Sequence, residues 1–159
     1  MKCDLFQVYG LTETAGAITI LMPEDHDPEK GKLRSCGKAL NSVEIKVVDD
    51  EGNEVKTGDI GEVISKSPLN MKGYWNRPDA TEEAIKDGWF YSGDAGFFDD
   101  EGYLYIHDRV KDMIVSGGEN IYPAEVENAL MSHPEIADAA VIGVPAVSYT
   151  HLRAHETSE

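Results

Sequence analysis

The run Tyr9-Gly10-Leu11-Thr12-Glu13-Thr14 combines several side chains that could take part in chemistry. Its glycine would let a ligand approach the backbone closely, and the threonine hydroxyl could bond a phosphate oxygen. Glu13 could hold Mg²⁺, and Tyr9, just before the glycine, could stack on a base. Taken alone, these features also fit an ordinary surface turn that follows a strand.

Two later runs are further candidate binding loops. In Tyr91-Ser92-Gly93-Asp94, a carboxylate on a tight glycine turn could accept both hydroxyls of a ribose. The run 108–112 alternates acidic and basic residues, and the run 116–120 contains two adjacent glycines that would let a narrow ligand pass along the backbone. The simpler interpretations are an acidic turn for the first run and a solvated linker for the second.

Short strands separated by glycine and aspartate turns are predicted in the middle of the chain. Residues 43–48 alternate apolar and polar side chains, and residues 61–66 form a second β-rich run. Three further strands are predicted by apolar and aromatic runs, at residues 88–91, 97–98 and 103–106. This spacing predicts a small antiparallel sheet or barrel over residues 33–107.

Two helices are predicted, over residues 79–85 and 123–132. Asp79 is the candidate N-cap of the first helix, and apolar residues recur at helical spacing in the second. An apolar run over 136–144 follows and predicts a buried strand. Strand, helix and strand over 113–144 therefore predict the start of a separate α+β unit.

The chain is strongly acidic, with 14 basic and 30 acidic side chains and a formal net charge of −16. This charge argues against non-specific nucleic-acid binding, which depends on neutralising phosphates, and against a polybasic membrane-binding surface. No apolar run approaches the roughly 20 residues of a spanning helix, and no signal-peptide pattern follows the first methionine. Two isolated cysteines favour a reducing environment, so a cytoplasmic location is predicted.

In their order and spacing, these runs resemble the adenylate-forming superfamily, which contains acyl-CoA synthetases, acyl-adenylating ligases and firefly-luciferase-type enzymes. Supporting runs are Met71-Lys72-Gly73-Tyr74-Trp75-Asn76-Arg77-Pro78, residues 87–94 and residues 117–127. The resemblance extends over residues 5–145 and is strongest to medium- and long-chain fatty-acyl-CoA ligases.

The resemblance implies a β-rich α+β fold divided into several parts. Residues 1–32 would form the edge of a large N-terminal AMP-binding domain, and residues 33–107 its small antiparallel β-barrel subdomain. Residues 108–111 would be a hinge, and residues 112–145 the first part of a mobile α+β C-terminal domain. Residues 146–159 do not follow the family pattern and resemble a translated sequencing adapter.

The resemblance also implies a reaction and a set of site residues. Family members use ATP and Mg²⁺ to convert a carboxylic acid, here a fatty acid, to an acyl-adenylate and pyrophosphate, and CoA then displaces AMP. By resemblance, Tyr9 would stack on adenine beside Gly10, Thr12 would contact the α-phosphate, and Glu13 would help to hold Mg²⁺.

The remaining site residues implied by the resemblance lie in the second half of the chain. Asp94 would accept the ribose hydroxyls, and Arg109 would support the ribose and phosphate. Lys111 matches the hinge about which the C-terminal domain turns between the half-reactions. Gly117 and Gly118 match a loop that lines the pantetheine tunnel in the thioester-forming state.

Two family features cannot be assigned in this sequence. The phosphate-binding loop lies well upstream of the Tyr-Gly-x-Thr-Glu motif, whereas only eight residues precede Tyr9. The C-terminal catalytic lysine cannot be assigned either, because the family pattern stops near residue 146. We therefore expect a truncated sequence that is inactive alone and binds AMP weakly at most.

Three hypotheses for function remain open at this point. The leading hypothesis is a fragment of a fatty-acyl-CoA synthetase. A second is another adenylating ligase, acting on an aryl acid or loading a carrier protein, since the acyl pocket that would discriminate these is built mostly by sequence absent here. A third is a non-catalytic fragment that binds nucleotide or interacts with another protein.

Overall fold

The computed structural model describes residues 3–116 and 119–144 of the chain. Two compact units divide between Met113 and Ile114. The described residues form ten β-strands and two α-helices, joined by short 3₁₀ turns. This composition confirms the predicted fold class, which is α+β and rich in strands.

The first sheet begins with an antiparallel hairpin. Strands β1 (Gln7–Leu11) and β2 (Gly16–Leu21) pair with each other and are joined by a 3₁₀ turn over Thr12–Thr14. The buried hydroxyl of Thr14 accepts the Leu11 N–H at 2.9 Å, which closes the turn. The short strand β3 (Lys38–Ala39) pairs with the other edge of β2.

The second sheet lies in the same unit and has five antiparallel strands: β4 (Glu44–Val48), β5 (Gly61–Lys66), β6 (Ile85–Lys86), β7 (Trp89–Phe98) and β8 (Leu104–Arg109). The long strand β7 lies at the centre. It pairs with β5 along one edge, while β6 and β8 share its other edge. Within the described residues the strand order is that of an open sheet, so the predicted closed barrel is not shown.

A small apolar core holds this second sheet together. Val47, Val63 and Leu104 are almost completely buried, and Tyr9 and Phe98 pack against them. Full burial of such aliphatic side chains contributes about 1.5–3 kcal/mol each. The core explains the alternation of apolar residues in β4 and confirms the strands predicted over 43–48 and 61–66.

Two strand predictions merge into one element. The runs 88–91 and 97–98 were expected to be separate strands, but both belong to the ten-residue strand β7. The intervening Gly93 has a left-handed φ of +72° and forms a bulge within the strand. A glycine beside an aspartate suggests a turn, yet here the chain continues along the sheet.

The first helix starts one residue earlier than predicted. Helix α1 covers Pro78–Ala84, and Arg77 occupies the N-cap position that was predicted for Asp79. Proline suits the first helical turn, because its missing N–H would have no partner there. Asp79 lies in that first turn instead, where it accepts a hydrogen bond from Arg77 at 3.3 Å.

The second unit contains one hairpin and one helix. Strands β9 (Ile114–Ser116) and β10 (Glu119–Ile121) pair antiparallel, and helix α2 covers Pro123–Met131. The buried strand predicted over 136–144 is wrong, because these residues form no strand.

The reason for this error is that, among the described residues, no strand pairs with this apolar segment. Ile142 and Val144 are 77% and 74% exposed in the described part of the unit. The Val141 N–H donates to the side chain of Glu127 at 2.8 Å rather than to a neighbouring strand. The loop residues Gly117 and Gly118, and the predicted non-family tail over 146–159, lie outside the described residues.

Neither helix of the described ranges, 3–116 and 119–144, is long and apolar enough to cross a membrane.

The hairpin between β7 and β8 is fixed by the side chain of Asp99. Its Oδ1 accepts the N–H groups of Glu101 and Tyr103, both at 2.9 Å, and its Oδ2 accepts a hydrogen bond from Lys32 at 2.8 Å. Burial raises the pKa of Asp99, but the hydrogen bonds from Lys32 and the two amides outweigh it, so the net pKa is lowered.

We predict that Asp99→Ala lowers the free energy of unfolding by about 1–3 kcal/mol near neutral pH, since it removes acceptors used by four donors, the fourth being the Tyr105 hydroxyl at 3.3 Å. The difference from wild type should be present above the ordinary carboxyl pKa and should shrink as pH falls through the lowered pKa of Asp99. Urea unfolding as a function of pH measures it. The exposed neighbour Asp100, changed to alanine, is the control; equal losses in the two variants would contradict this role.

Candidate nucleotide-binding site

The bulged hairpin of β1 and β2 places the first predicted site residues. The pairing register shifts between Tyr9 and Gly10. A Cβ atom at Gly10 would lie 2.0 Å from the carbonyl oxygen of Gly16, so the close approach of the two strands requires glycine there. The 3₁₀ turn that follows carries Thr12, which is exposed, and Glu13, which is half-buried.

Asp94 lies in the central strand β7, and only 7% of it is exposed. Two irregularities flank it. The register with β5 shifts between Glu62 and Ile64, and the register with β8 shifts between Ala95 and Gly96. Asp94 itself is paired with Arg109 across the two strands. The bulges therefore set the direction in which this carboxylate points.

Two donors hold the buried Asp94 carboxylate. The phenol of Tyr9 donates to Oδ2 at 2.7 Å, and Arg109 Nε donates to Oδ1 at 2.9 Å. Each oxygen keeps a second lone pair for another donor. Burial, and then the hydrogen bond to Asp94, raises the pKa of Tyr9 far above its usual value. Tyr9 therefore remains protonated and donates to the carboxylate across the working pH range.

Glu13 is held by a contact that sequence reasoning missed. The phenol of Tyr74 donates to Glu13 Oε1 at 2.8 Å, and the Met71 N–H donates to the Glu13 backbone oxygen at 2.7 Å. These contacts tie the turn after β1 to the segment before α1. The run 71–78 carries part of the family resemblance, but nothing in its spacing predicts contact with a residue about sixty positions earlier.

Six predicted site residues come together around one cavity of about 420 Å³, which is within the size range of small-molecule sites. The cavity is lined by Tyr9, Gly10, Leu11, Thr12, Glu13, Asp94 and Arg109. It combines an aromatic ring, a glycine, a hydroxyl, two carboxylates and a guanidinium. Such a set can stack on a base, accept hydrogen bonds from a diol and bind phosphate oxygens.

The lining of this cavity does not include Lys111. Lys111 is exposed in a 3₁₀ turn over Val110–Asp112, and it lines a neighbouring groove of about 770 Å³ together with Trp75 and Arg77. Gly117 and Gly118 lie outside the described residues, so their predicted role in a pantetheine tunnel stays a prediction.

The donor set suits Mg²⁺ held mainly by a nucleotide rather than by the protein. Among residues 3–116 and 119–144, no group of three or more His, Cys, Asp or Glu side chains is placed to hold a metal ion. Glu13, with one oxygen bonded to Tyr74, offers its other oxygen to a cation. Mg²⁺ commonly binds through one or two carboxylates plus substrate phosphates, so the Glu13 carboxylate is a suitable ligand for Mg²⁺.

Comparison of the chain with known proteins identifies its class, because the matching families and solved structures are those of adenylate-forming enzymes. The AMP-binding enzyme family matches residues 1–75, and the AMP-binding enzyme C-terminal domain family matches residues 125–151. The chain belongs to the AMP-binding superfamily, and its relatives include acid–CoA ligases.

Three curated relatives show the range of this family. The chain is 45% identical to the fatty acid–[acyl-carrier-protein] ligase ScoC of Streptomyces coeruleorubidus over 91% of its length. It is 46% identical to the long-chain-fatty-acid–CoA ligase FadD13 of Mycobacterium tuberculosis over 95%, and 52% identical to the 2-succinylbenzoate–CoA ligase of Bacillus velezensis over 87%. It spans only 28–29% of the length of these relatives.

Solved structures agree with this assignment. The o-succinylbenzoate CoA synthetase MenE of Bacillus subtilis, in complex with its acyl-adenylate intermediate, matches with a TM-score of 0.81 and 48% identity. The match covers 90% of this chain and 29% of MenE. The same enzyme in complex with ATP and magnesium matches with a TM-score of 0.80 at 48% identity, covering 89% and 29%.

We predict that Tyr9→Phe destabilises the chain by about 1–2 kcal/mol, because the buried Asp94 carboxylate loses one donor while the ring and its packing remain. Urea unfolding measures the change. The matched control is Tyr91→Phe, which removes a hydroxyl from a half-buried tyrosine on the same strand as Asp94. Equal losses in the two variants would show that the Tyr9 hydroxyl has no special contact with Asp94.

Proposed function

We propose that this chain forms the adenine- and ribose-binding part of an ATP-dependent acid–thiol ligase. The observation that carries the proposal is the buried Asp94 carboxylate, which faces the cavity with acceptor capacity remaining on both oxygens. A ribose diol supplies two adjacent O–H donors and matches such an acceptor. Because the chain spans 28–29% of its relatives, the complete reaction is proposed for the longer protein to which this sequence corresponds.

Gly10 and the polar and aromatic residues of the cavity each have a role in this proposal. The ring of Tyr9, anchored through its hydroxyl to Asp94, supports the adenine, and Gly10 lets the nucleotide approach the strand. The exposed Thr12 donates its hydroxyl to the α-phosphate. Arg109 binds Asp94 through Nε, and its terminal nitrogens remain as donors to the ribose or phosphate.

The proposed reaction has two steps. A carboxylate oxygen of the acid attacks the α-phosphorus of ATP, and the bond to pyrophosphate breaks to give an acyl-adenylate. The thiol of CoA then attacks the acyl carbonyl carbon, the bond to AMP breaks, and a thioester and a proton are released. Negative charge builds on the phosphate and then on the carbonyl oxygen, and donors such as Thr12 and Arg109 would stabilise it at the phosphate.

Mg²⁺ would supply charge neutralisation to the nucleotide phosphates, and Glu13 is the residue of this chain that would hold it. Tyr74 would keep the Glu13 carboxylate turned towards the cavity through its hydrogen bond.

Lys111 is proposed as the hinge residue between the half-reactions. Its position supports this proposal, because it lies two residues before the division between the compact units at Met113. The glycines at 117 and 118 are proposed to line the path of the pantetheine arm of CoA.

A fatty acid is the substrate that we propose, on the basis of the resemblance of the 108–120 region to fatty-acyl-CoA ligases. An aromatic acid is the second candidate, since the similarity to the 2-succinylbenzoate–CoA ligase reaches 52% identity. A carrier protein as acceptor is the third, since ScoC is a fatty acid–[acyl-carrier-protein] ligase.

We predict that the chain binds AMP weakly and that Asp94→Ala reduces the affinity at least about tenfold, because the ribose hydroxyls lose a charged acceptor. Isothermal titration calorimetry measures both constants. Asp59→Ala, which removes an exposed carboxylate from the same unit, should stay within about twofold of wild type because it lies outside the cavity. Nanomolar affinity, or equal binding by the Asp94 variant, would contradict the proposal.

A further inference from the structure

Strand β7 leaves its partner β5 immediately before Asp94. Tyr91 pairs with Ile64, and Ala95 pairs with Glu62, so three residues of β7 stand opposite the single residue Val63. A bulge of this kind frees backbone N–H and C=O groups from the ladder, and buried groups of this type need other partners.

Side chains supply those partners. Ser92 Oγ donates to the Val63 carbonyl oxygen at 2.6 Å and accepts the Asp94 N–H at 3.1 Å. The Gly93 N–H donates to Glu62 Oε1 at 2.9 Å. Ser92 therefore bonds backbone groups of the bulge from within β7, whereas Glu62 bonds one from the neighbouring strand β5.

The Gly93 backbone requires such a restraint. Its φ of +72° lies in the left-handed region. Glycine adopts positive and negative φ about equally readily, so this conformation is not fixed by the residue itself. Gly93 directly precedes Asp94, so a change in the backbone angles of Gly93 would reorient the Asp94 side chain. A hydrogen bond to the Gly93 N–H is therefore well placed to hold the following carboxylate in one orientation.

We propose that Glu62 is a positioning residue for the nucleotide site: through the Gly93 N–H, its carboxylate fixes the bulge that directs Asp94 towards the ribose hydroxyls. This inference rests on the proposed function of Asp94 and names a residue outside the cavity where the nucleotide would bind.

The environment of Glu62 agrees with this role. The residue is half-buried, and burial raises the pKa of its carboxyl group, while the Gly93 N–H lowers it. The negative charge of Asp94 also raises it. A glutamate that served only as a polar surface residue would be more stable with its carboxylate fully hydrated. The hydrogen bond from the Gly93 N–H offsets the cost of the partial desolvation of Glu62.

Two substitutions separate this role from simple packing. Glu62→Gln keeps a side-chain oxygen that can accept the Gly93 N–H, whereas Glu62→Ala removes it. Two ligands separate an effect on Asp94 from a general loss of structure: AMP, and 2′,3′-dideoxy-AMP, which lacks both ribose hydroxyls. The 159-residue chain is used throughout, with affinities from isothermal titration calorimetry.

We expect Glu62→Ala to weaken AMP binding about five- to tenfold, because one hydrogen bond that orients a charged group is lost. The affinity of this variant for 2′,3′-dideoxy-AMP should stay within about twofold of the wild-type value. The affinities of Glu62→Gln for both ligands should stay within about twofold of the wild-type values. Amide exchange of Gly93, followed by NMR, should accelerate in the alanine variant and not in the glutamine variant.

Three results would overturn the inference. Equal weakening of both ligands by Glu62→Ala would indicate a general structural role, and unchanged Gly93 exchange would show that the hydrogen bond does not restrain the bulge. If Asp94→Ala weakens AMP binding while Glu62→Ala does not, only the role of Glu62 fails. If wild type binds no AMP, or binds both ligands equally well, the proposed function itself fails.

Discussion

The buried charge of Asp94 is the constraint on which the site depends. A carboxylate removed from water is costly unless it is paired and hydrogen-bonded, and the loss of a donor leaves part of that cost uncompensated. Here the partners are Tyr9 from β1 and Arg109 from β8. Tyr9 and Asp94 are 85 residues apart in the chain, so their hydrogen bond links the first sheet to the centre of the second.

Local backbone features serve that constraint. Gly10 lets β1 and β2 approach closely enough for the turn that carries Thr12 and Glu13, since any larger residue would collide with Gly16. The bulge at Gly93 directly precedes Asp94, and the side chains of Ser92 and Glu62 satisfy the backbone groups that the bulge frees. The irregularities of the sheet are thus concentrated where the carboxylate must be directed.

Sequence patterns predicted those parts of the molecule that depend on local periodicity. Alternation located β4 and β5, and the Tyr-Gly-x-Thr-Glu and Ser-Gly-Asp runs identified residues that do surround one cavity. The continuous strand β7 was missed, because a glycine at positive φ makes a turn and a bulge look alike in sequence.

Contacts between distant residues could not be predicted in the same way. The hydrogen bonds between Tyr74 and Glu13 and between Glu62 and Gly93 depend on how the elements pack. The alternation of a strand predicts which face is buried, but not which distant residues that strand contacts. Similarly, apolar composition over 136–144 could not reveal that the described segment lacks a strand partner. These are tertiary effects that override local preference.

A crystal structure of the chain with AMP tests most directly whether Asp94 is a ribose-binding carboxylate. Both ribose hydroxyls should lie within hydrogen-bonding distance of the Asp94 oxygens, and the adenine should lie against the ring of Tyr9. An AMP molecule bound elsewhere, for example in the groove beside Trp75, or one whose ribose hydroxyls face solvent while Asp94 keeps only Tyr9 and Arg109, would contradict it.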